Sequence, residues 1–216
     1  MPPARLPFVV FLDVDKTLIG RAEGSVARFW LRRVVRELVE AGELPASAGP
    51  TPTDPRADME PLLRPGVGDA LRRIRNALGH VEYFVCSLGQ QPVVAELKAP
   101  GIERAAGVRF RRPLFCVSTD DSCNCRSAAS PDRKLVARCF ARAVAELARR
   151  GYPALRNPSA AKRVYSERFF MVDDTPGVAF DDASNGRLVT CPPYMHTPFC
   201  DPLEGIPPRA LLISVA

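Results

Sequence analysis

Short runs of β-forming apolar residues alternate with helical patterns along this chain, and the alternation restricts its fold more than any other feature. Apolar runs that predict buried strands lie at residues 8–12, 81–86, 113–117, 169–172 and 188–190. Runs of this length are typical of strands covered on both faces. Helical spacing or helix-start signals between the runs predict helices at residues 25–41, 65–78, 92–97 and 130–150. Strands alternating with helices predict an α/β fold with a three-layer parallel sheet, its 8–12 strand between the 81–86 and 169–172 strands.

Length and composition fit a single domain that spans residues 1–216. The 216 residues are 46% hydrophobic and 25% charged, which is ordinary for a globular protein with its own hydrophobic core. Residues 42–61 are rich in Pro, Ala, Ser, Thr and Asp, and predict a loop or a small excursion of the chain. We interpret residues 20–62 as a small insertion after the first strand and a candidate helical cap.

The apolar runs are too short to cross a bilayer, and the first 15 residues do not have the pattern of a signal peptide. We therefore expect an intracellular protein of the cytoplasm or nucleus, without a membrane partner. The net charge of +6 suits anionic partners such as phosphate esters, or a weak contact with nucleic acid. Arginines that are solvated on helix faces would produce the same excess of positive charge without any anionic partner.

Carboxylates follow two of the predicted strands. Asp13 and Asp15 come directly after the first, and Asp173 and Asp174 after the fourth. Ligands of open parallel sheets bind outside the carboxyl ends of the strands. Four carboxylates at one edge would repel one another unless a divalent cation held them, and oxygen ligands suit Mg²⁺. An exposed Asp beside such a cation could form an aspartyl-phosphate.

A hydroxyl and an ammonium are predicted at the same edge. Ser87 follows the second strand, and Lys134 falls in the first turn of the helix that we predict from Ser130-Pro131-Asp132. Both groups are suited to binding phosphoryl oxygens. Lysine is rare here, since only four of the 30 basic residues are lysines, so a lysine at this position favours a functional role.

The carboxylates also have a simpler interpretation, because Asp often caps the turn after a strand. Two further acidic pairs, Asp120-Asp121 and Asp181-Asp182, lack a convincing buried strand before them. The order of all the motifs along the chain favours the functional interpretation over the turn caps.

The motif order resembles the haloacid dehalogenase (HAD) superfamily, which implies a Rossmann-like sheet of HAD type. The segments that carry the resemblance are FLDVDKTL, FVCSLG, PDRKL and FFMVDDTPG. A closer resemblance is to the small C-terminal-domain phosphatase branch, also called NLI-interacting-factor-like, through Arg64-Pro65-Gly66-Val67, Asp173-Asp174-Thr175-Pro176, Asn185-Gly186 and Pro192-Pro193-Tyr194. Two positions depart from that branch: Lys16 stands where it usually has Glu, and Val85-Cys86-Ser87 where it often has Thr-Ala-Ser.

The resemblance implies a Mg²⁺-dependent phosphatase and a role for each motif residue. Asp13 would attack the phosphoryl group, and Asp15 would protonate the leaving oxygen and then activate water. The metal ligands would be Asp13, the backbone carbonyl of Asp15, and Asp174. Asp173 would either lie next to these ligands or bind the metal as well. The phosphate would be bound by Thr17, Ser87 and Lys134.

The substrate implied by the branch is a phosphoprotein, dephosphorylated at Ser or Thr in an open site. A phosphatase of nucleotides, polynucleotide ends or small phosphometabolites is the alternative if the 25–41 helix closes over the site. A non-catalytic module that binds phosphopeptides or nucleic acid is a third hypothesis. The complete set of carboxylates argues against it, since a degenerate site usually loses Asp13 or Asp15.

Seven cysteines without a secretory signal predict reduced thiols rather than disulfides. Zinc ligands are available if the loops meet in space, namely Cys123, Cys125, Cys191, His196 and Cys200. Their spacing matches no familiar zinc module, so we predict no structural metal.

Overall fold

The computed structural model describes residues 6–49, 54–175 and 188–196. These residues form an α/β fold around one five-stranded, all-parallel sheet with the strand order β3-β2-β1-β4-β5. The strands are β1 Phe8–Leu12, β2 Val81–Gln90, β3 Arg111–Val117, β4 Phe169–Asp173 and β5 Leu188–Thr190. The predicted central position of the first strand, between the second and the fourth, is confirmed.

Helices connect the strands. The α-helices are α1 Glu23–Glu40, α2 Pro55–Met59, α3 Val67–Leu78, α4 Ala99–Ala106, α5 Val136–Arg150 and α6 Pro158–Glu167. Short 3₁₀ turns lie at Ala46–Ala48, Glu60–Leu62 and Pro153–Arg156, and a π-helical turn spans Val93–Lys98.

The side chains of β1 alternate between two hydrophobic clusters, one on each face of the sheet. Val10 and Leu12 belong to the cluster that contains buried residues of α3 and α4. Val9 and Phe11 belong to the cluster that contains buried residues of α5 and α6. Both clusters form because successive residues of a strand point to opposite faces. The predicted three-layer arrangement is therefore confirmed.

The prediction of a loop over residues 42–61 is wrong in its last part, where α2 forms. Asp54 caps this helix by accepting a hydrogen bond from the Arg56 backbone N–H at 3.0 Å, and Pro55 occupies the first helical position. Met59 at the end of α2 is fully buried, beside Gly101 of α4. The short helix is stabilised by this contact with a distant segment.

The short helix predicted at residues 92–97 is instead the π-helical turn, and it continues directly into α4. Pro100 and Gly101 suggest a helix end in the sequence. Pro is tolerated in the first turn of a helix, where Pro100 lies. Helix α6 also begins at a proline, Pro158, after the cap Asn157.

The predicted start of the helix at Ser130 is wrong, since α5 begins at Val136. The backbone N–H of Ser127 donates to the Arg133 carbonyl, and that of Leu135 donates to the Cys125 carbonyl. These bonds flank an antiparallel bridge between Arg126 and Lys134, so Lys134 precedes the helix instead of lying in its first turn. The predicted end of the helix at Gly151, which has a φ of 153°, is confirmed.

Within the described part of the chain, no helix combines the length and the apolarity that crossing a membrane requires.

Candidate active site

The carboxyl ends of β1, β2 and β4 meet at one edge of the sheet and border a pocket of about 350 Å³. The strands are adjacent and parallel, so the residues at these ends lie side by side. Six of the residues predicted from the sequence line this pocket: Asp13, Asp15, Ser87, Lys134, Asp173 and Asp174.

Asp13, Asp173 and Asp174 form a compact carboxylate cluster, with one oxygen of each within 4.8 Å of the others. The Lys134 ammonium lies between two of them, 2.7 Å from Asp13 Oδ1 and 2.6 Å from Asp173 Oδ2. All of these groups except Asp174 are buried. A buried carboxylate needs a partner, and Lys134 supplies one for Asp13 and for Asp173.

Thr17 lies beneath the cluster and is 2% exposed. Its hydroxyl oxygen is 3.3 Å from Asp13 Oδ2 and 3.3 Å from Asp174 Oδ1, and it accepts a hydrogen bond from the Asp174 backbone N–H at 3.1 Å. In this structure the predicted phosphate ligand Thr17 therefore holds together the carboxylates that follow β1 and β4.

Burial is the main cause that raises the pKa of Asp13 from 3.8 to about 7. Lys134 opposes this rise, and the neighbouring carboxylates of Asp173 and Asp15 add to it. Burial alone would lower the pKa of Lys134, but its attraction to Asp13, Cys86 and Asp173 is stronger and raises it. Lys134 is therefore a permanent cation, whereas the raised pKa of Asp13 lets this carboxyl take up a proton as the pH falls below about 7.

Asp15, only two residues from Asp13, has a different partner. Both of its carboxylate oxygens bind the Lys98 ammonium, at 2.5 Å and 2.7 Å. The side chain of Lys98 is 6% exposed and that of Asp15 is 40% exposed. Asp15 is therefore open to the pocket on one side and paired with a buried cation on the other.

Ser87 lies inside β2 rather than after it, because that strand continues to Gln90. Its hydroxyl oxygen accepts a hydrogen bond from the Gly89 backbone N–H at 3.2 Å and borders the pocket. Lys16 lines the pocket too and has a φ of 62°, a left-handed conformation that is uncommon for a residue with a side chain. Lys16 begins a tight turn after which Ile19 pairs with Asp15, and the backbone N–H groups of Leu18 and Ile19 donate to the Val14 carbonyl.

The donor set of the cluster fits a divalent cation. Carboxylate oxygens are the ligands that Mg²⁺ and similar hard cations prefer. Three carboxylates with the single ammonium of Lys134 have a formal charge of −2, and Lys98 neutralises Asp15 separately. Lys134 contacts Asp13 and Asp173, and both oxygens of Asp173 accept hydrogen bonds, one from Lys134 and one from the Thr175 backbone N–H. Asp174 is the member of the cluster that is partly exposed and therefore the most open to a cation.

The candidate zinc ligands that the structure describes, Cys123, Cys125, Cys191 and His196, do not appear together in a metal-binding group. Within the described residues, the carboxylate cluster is the group of three or more potential ligands that comes together. The six described cysteines are free thiols, and Cys200 lies outside the described residues. The acidic pair Asp120-Asp121 is exposed in the loop after β3, and Asp181-Asp182 lies outside the described residues.

Comparison with protein-family models, with curated proteins and with solved structures finds no match.

Sequence reasoning assigned no role to Lys98 or Asp132, although both are near the pocket. Asp132 lines it, and Lys98 reaches it through Asp15. The scarcity of lysine in the chain was the signal that could have pointed to Lys98. Of the four lysines, Lys16 and Lys134 line the pocket, Lys98 binds Asp15, and Lys162 is exposed on α6.

Proposed function

We propose that this protein is a Mg²⁺-dependent phosphatase of HAD type that acts through an aspartyl-phosphate on Asp13. One observation carries the proposal: the carboxylate cluster and Lys134 form the floor of a pocket that Asp15 and Ser87 also line. A nucleophile, a cation site, an anion-binding ammonium and a second carboxylate are the groups that phosphoryl transfer through a covalent intermediate needs.

In the first step, a carboxylate oxygen of Asp13 attacks the phosphorus of a phosphate monoester. The bond between phosphorus and the ester oxygen breaks, and the electron pair leaves with that oxygen. Asp15, in its protonated form, donates the proton that converts the leaving oxygen into an alcohol.

In the second step, water hydrolyses the aspartyl-phosphate. The Asp15 carboxylate accepts a proton from the water, whose oxygen attacks phosphorus. The bond between phosphorus and the Asp13 oxygen breaks, which releases inorganic phosphate and regenerates both carboxyl groups. Asp15 thus has opposite roles in the two steps, and its half-exposed side chain gives it access to the leaving alcohol and to water.

Asp13, Asp174 and the backbone carbonyl of Asp15 would hold Mg²⁺. When bound, the cation supplies positive charge that offsets the negative charge of nucleophile and phosphate. Asp173 would orient Lys134, which it contacts at 2.6 Å. Lys134 and the Ser87 hydroxyl would bind the phosphoryl oxygens, and Thr17 would keep the two carboxylate-bearing segments in place.

The substrate that we propose is a phosphoprotein, dephosphorylated at Ser or Thr. The pocket supports this choice because its described lining comes from the carboxyl ends of β1, β2 and β4 and from the segment before α5, and none of it from the described parts of 20–62. Phosphoserine in an extended segment requires a site that is open in this way, whereas a closed cap would favour a small phosphometabolite.

Turnover assays test the proposal. The 216-residue protein should hydrolyse p-nitrophenyl phosphate and a phosphoserine peptide with Mg²⁺, and the activity should disappear in EDTA or in Asp13→Asn. Asp121→Asn is the matched control, because it changes an exposed carboxylate outside the pocket, and it should keep the wild-type rate.

Other outcomes would contradict the proposal. Undiminished phosphate release by Asp13→Asn would exclude the nucleophile, and peptide binding without release would indicate a binding module. Higher kcat/KM for nucleotides or sugar phosphates than for the peptide would overturn the substrate class alone.

A further inference from the structure

Lys98 is a buried cation that the catalytic scheme above does not use. It is 5% exposed as a residue, and its ammonium is within 2.7 Å of both oxygens of Asp15. A buried ammonium is costly without a partner. Asp15 satisfies two of its three donors, so the two side chains restrain each other.

The π-helical turn Val93–Lys98 brings the lysine to this place. Val93, Val94 and Leu97 of this turn are buried in the core, which fixes the turn beside β2. Lys98 is its last residue, and its side chain extends to Asp15 after β1. π-Helical turns are rare and often occur at functional sites.

Gly89 of β2 lies beside the same pair. A Cβ there would be 2.9 Å from Val94 Cγ2 of the π-helical turn, 3.5 Å from Ser87 Oγ and 3.8 Å from Asp15 Oδ2. Glycine at this position therefore lets the π-helical turn pack closely against β2, next to residues that line the pocket.

The contact with Lys98 also separates Asp15 from the carboxylate cluster. The oxygens of Asp13, Asp173 and Asp174 group within 4.8 Å of one another, and Asp15 is outside that group. For the Asp15 side chain to turn toward the cluster, it would have to break both bonds to Lys98. That rotation would leave a buried ammonium unpaired, so it is strongly disfavoured.

We propose that Lys98 is a positioning residue that holds the Asp15 carboxylate at the mouth of the pocket, on the leaving-group side and apart from the cation cluster. This inference rests on the proposed function. Two carboxylates separated by a single residue thus differ in role because different lysines hold them: Lys134 holds Asp13 in the cluster, and Lys98 holds Asp15 outside it.

Kinetics with two esters test the inference. Lys98→Met removes the ammonium but keeps the length of the side chain, and Lys98→Gln keeps one donor group. In Lys98→Met, we expect kcat for the phosphoserine peptide to fall about 10- to 100-fold with little change in KM, as part of the 10²–10⁴-fold that proton transfer contributes. The loss on p-nitrophenyl phosphate should be smaller, because its leaving group needs little protonation. Lys98→Gln should be intermediate.

A double variant separates positioning from a general structural role. Lys98→Met/Asp15→Asn should be no slower than Asp15→Asn alone, because Lys98 acts through Asp15. Lys162→Met, an exposed lysine on α6, is the matched control and should match wild type. Equal losses of Lys98→Met on both esters, or losses that multiply in the double variant, would overturn the inference.

A crystal structure of Lys98→Met decides the same question without any turnover. We expect the Asp15 side chain to leave its wild-type position or to adopt several rotamers. An unchanged Asp15 would overturn the inference even in an active enzyme. Conversely, if wild type hydrolysed neither ester, the proposed function would fail, while a displaced Asp15 would still establish that Lys98 positions it. If Lys98→Met does not fold, the kinetics of Lys98→Gln with the two esters decide: a larger loss of kcat on the phosphoserine peptide than on p-nitrophenyl phosphate supports the inference, and equal losses or no loss overturn it.

Discussion

At the scale of single residues, the two aspartates after β1 differ in their exposure and in the lysine that each one contacts. The side chain of Asp13 is 9% exposed and contacts Lys134, whereas the side chain of Asp15 is 40% exposed and contacts Lys98. Both cations are lysines in a chain that otherwise uses mostly arginine. An ammonium is compact and can rotate its donors, so it fits between carboxylates where a planar guanidinium would need more space.

Changing each of the two aspartates to Asn should therefore affect the rate of ester hydrolysis in different ways. Asp13→Asn removes the nucleophile and should abolish hydrolysis of every ester. Asp15→Asn keeps the nucleophile, and its loss should be about 10²–10⁴-fold for phosphoserine. The loss should be smaller for p-nitrophenyl phosphate, with phosphoenzyme still formed. Single-turnover kinetics of both variants with both esters provide the measurement.

Two results would refute these assignments. Wild-type turnover by Asp13→Asn would remove its role as nucleophile. Equal losses of Asp15→Asn on the two esters would remove its role as the acid. Mass spectrometry of the acid-quenched protein should locate the phosphoryl group on Asp13 when Asp15→Asn reacts with the aryl ester.

At the scale of elements, the contact between α2 and α4 connects the segment after α1 to the layer that carries Lys98. Gly101 of α4 lies against α2, where a Cβ would overlap Met59 Cγ and lie 2.5 Å from the Pro55 carbonyl oxygen. Backbone and buried side chain on the opposite side leave no room for an added methyl group. The contact therefore depends on glycine, for steric reasons, at a position inside a helix.

Gly101→Ala should lower the free energy of unfolding by about 1–3 kcal/mol, because the added methyl group overpacks the contact between α2 and α4. Gly24→Ala, at an exposed position in α1, is the matched control. The control should be neutral or up to about 1 kcal/mol more stable, since Ala favours helix over Gly. Urea unfolding curves measure both, and equal stability of the two variants would contradict the tight contact.

At the scale of the whole molecule, the carboxylate cluster couples folding to pH and to cations. Burial raises the pKa of Asp13 to about 7 in the folded chain. The ordinary pKa of an Asp side chain, which applies in the unfolded chain, is 3.8. A folded state that binds a proton more tightly than the unfolded state is favoured at low pH. The contribution of Asp13 to stability is therefore fully present below about pH 4 and is lost as the pH rises through about 7.

The stability of wild type relative to Asp13→Asn should accordingly fall between pH 4 and pH 7 in EDTA. The slope from one proton is at most about 1.4 kcal/mol per pH unit. Asn does not titrate, so the variant serves as the reference against which other groups cancel. Urea unfolding of both proteins at several pH values gives the difference, and a difference that does not change with pH would refute the raised pKa.

Mg²⁺ should reverse this loss at pH 7, because it replaces the proton as the positive charge in the cluster. At 100 times its dissociation constant, a cation that binds only the folded state adds about 2.7 kcal/mol. The increase in Tm should be smaller at pH 5, where protons compete, and absent in Asp174→Asn. An equal increase in that variant would place the cation elsewhere.

The sequence by itself determined the sheet and the residues at its edge. Apolar runs ended by polar residues are local signals, so β1 and β5 match their predicted bounds and β4 ends one residue later. The parallel arrangement follows from alternating strands and helices, and it brings the ends of β1, β2 and β4 together. Asp13, Ser87 and Asp173 could be assigned to one pocket on that basis alone.

Only the tertiary structure decided how the remaining groups are held, because each depends on a partner far along the chain. Lys134 precedes α5 rather than starting it, since its segment pairs with residues 125–127. Helix α4 forms across Pro100 and Gly101 because that glycine packs against α2. Lys98 and Asp15 are 83 residues apart in sequence. No local pattern records that pairing, since it exists only where the π-helical turn folds against the end of β1.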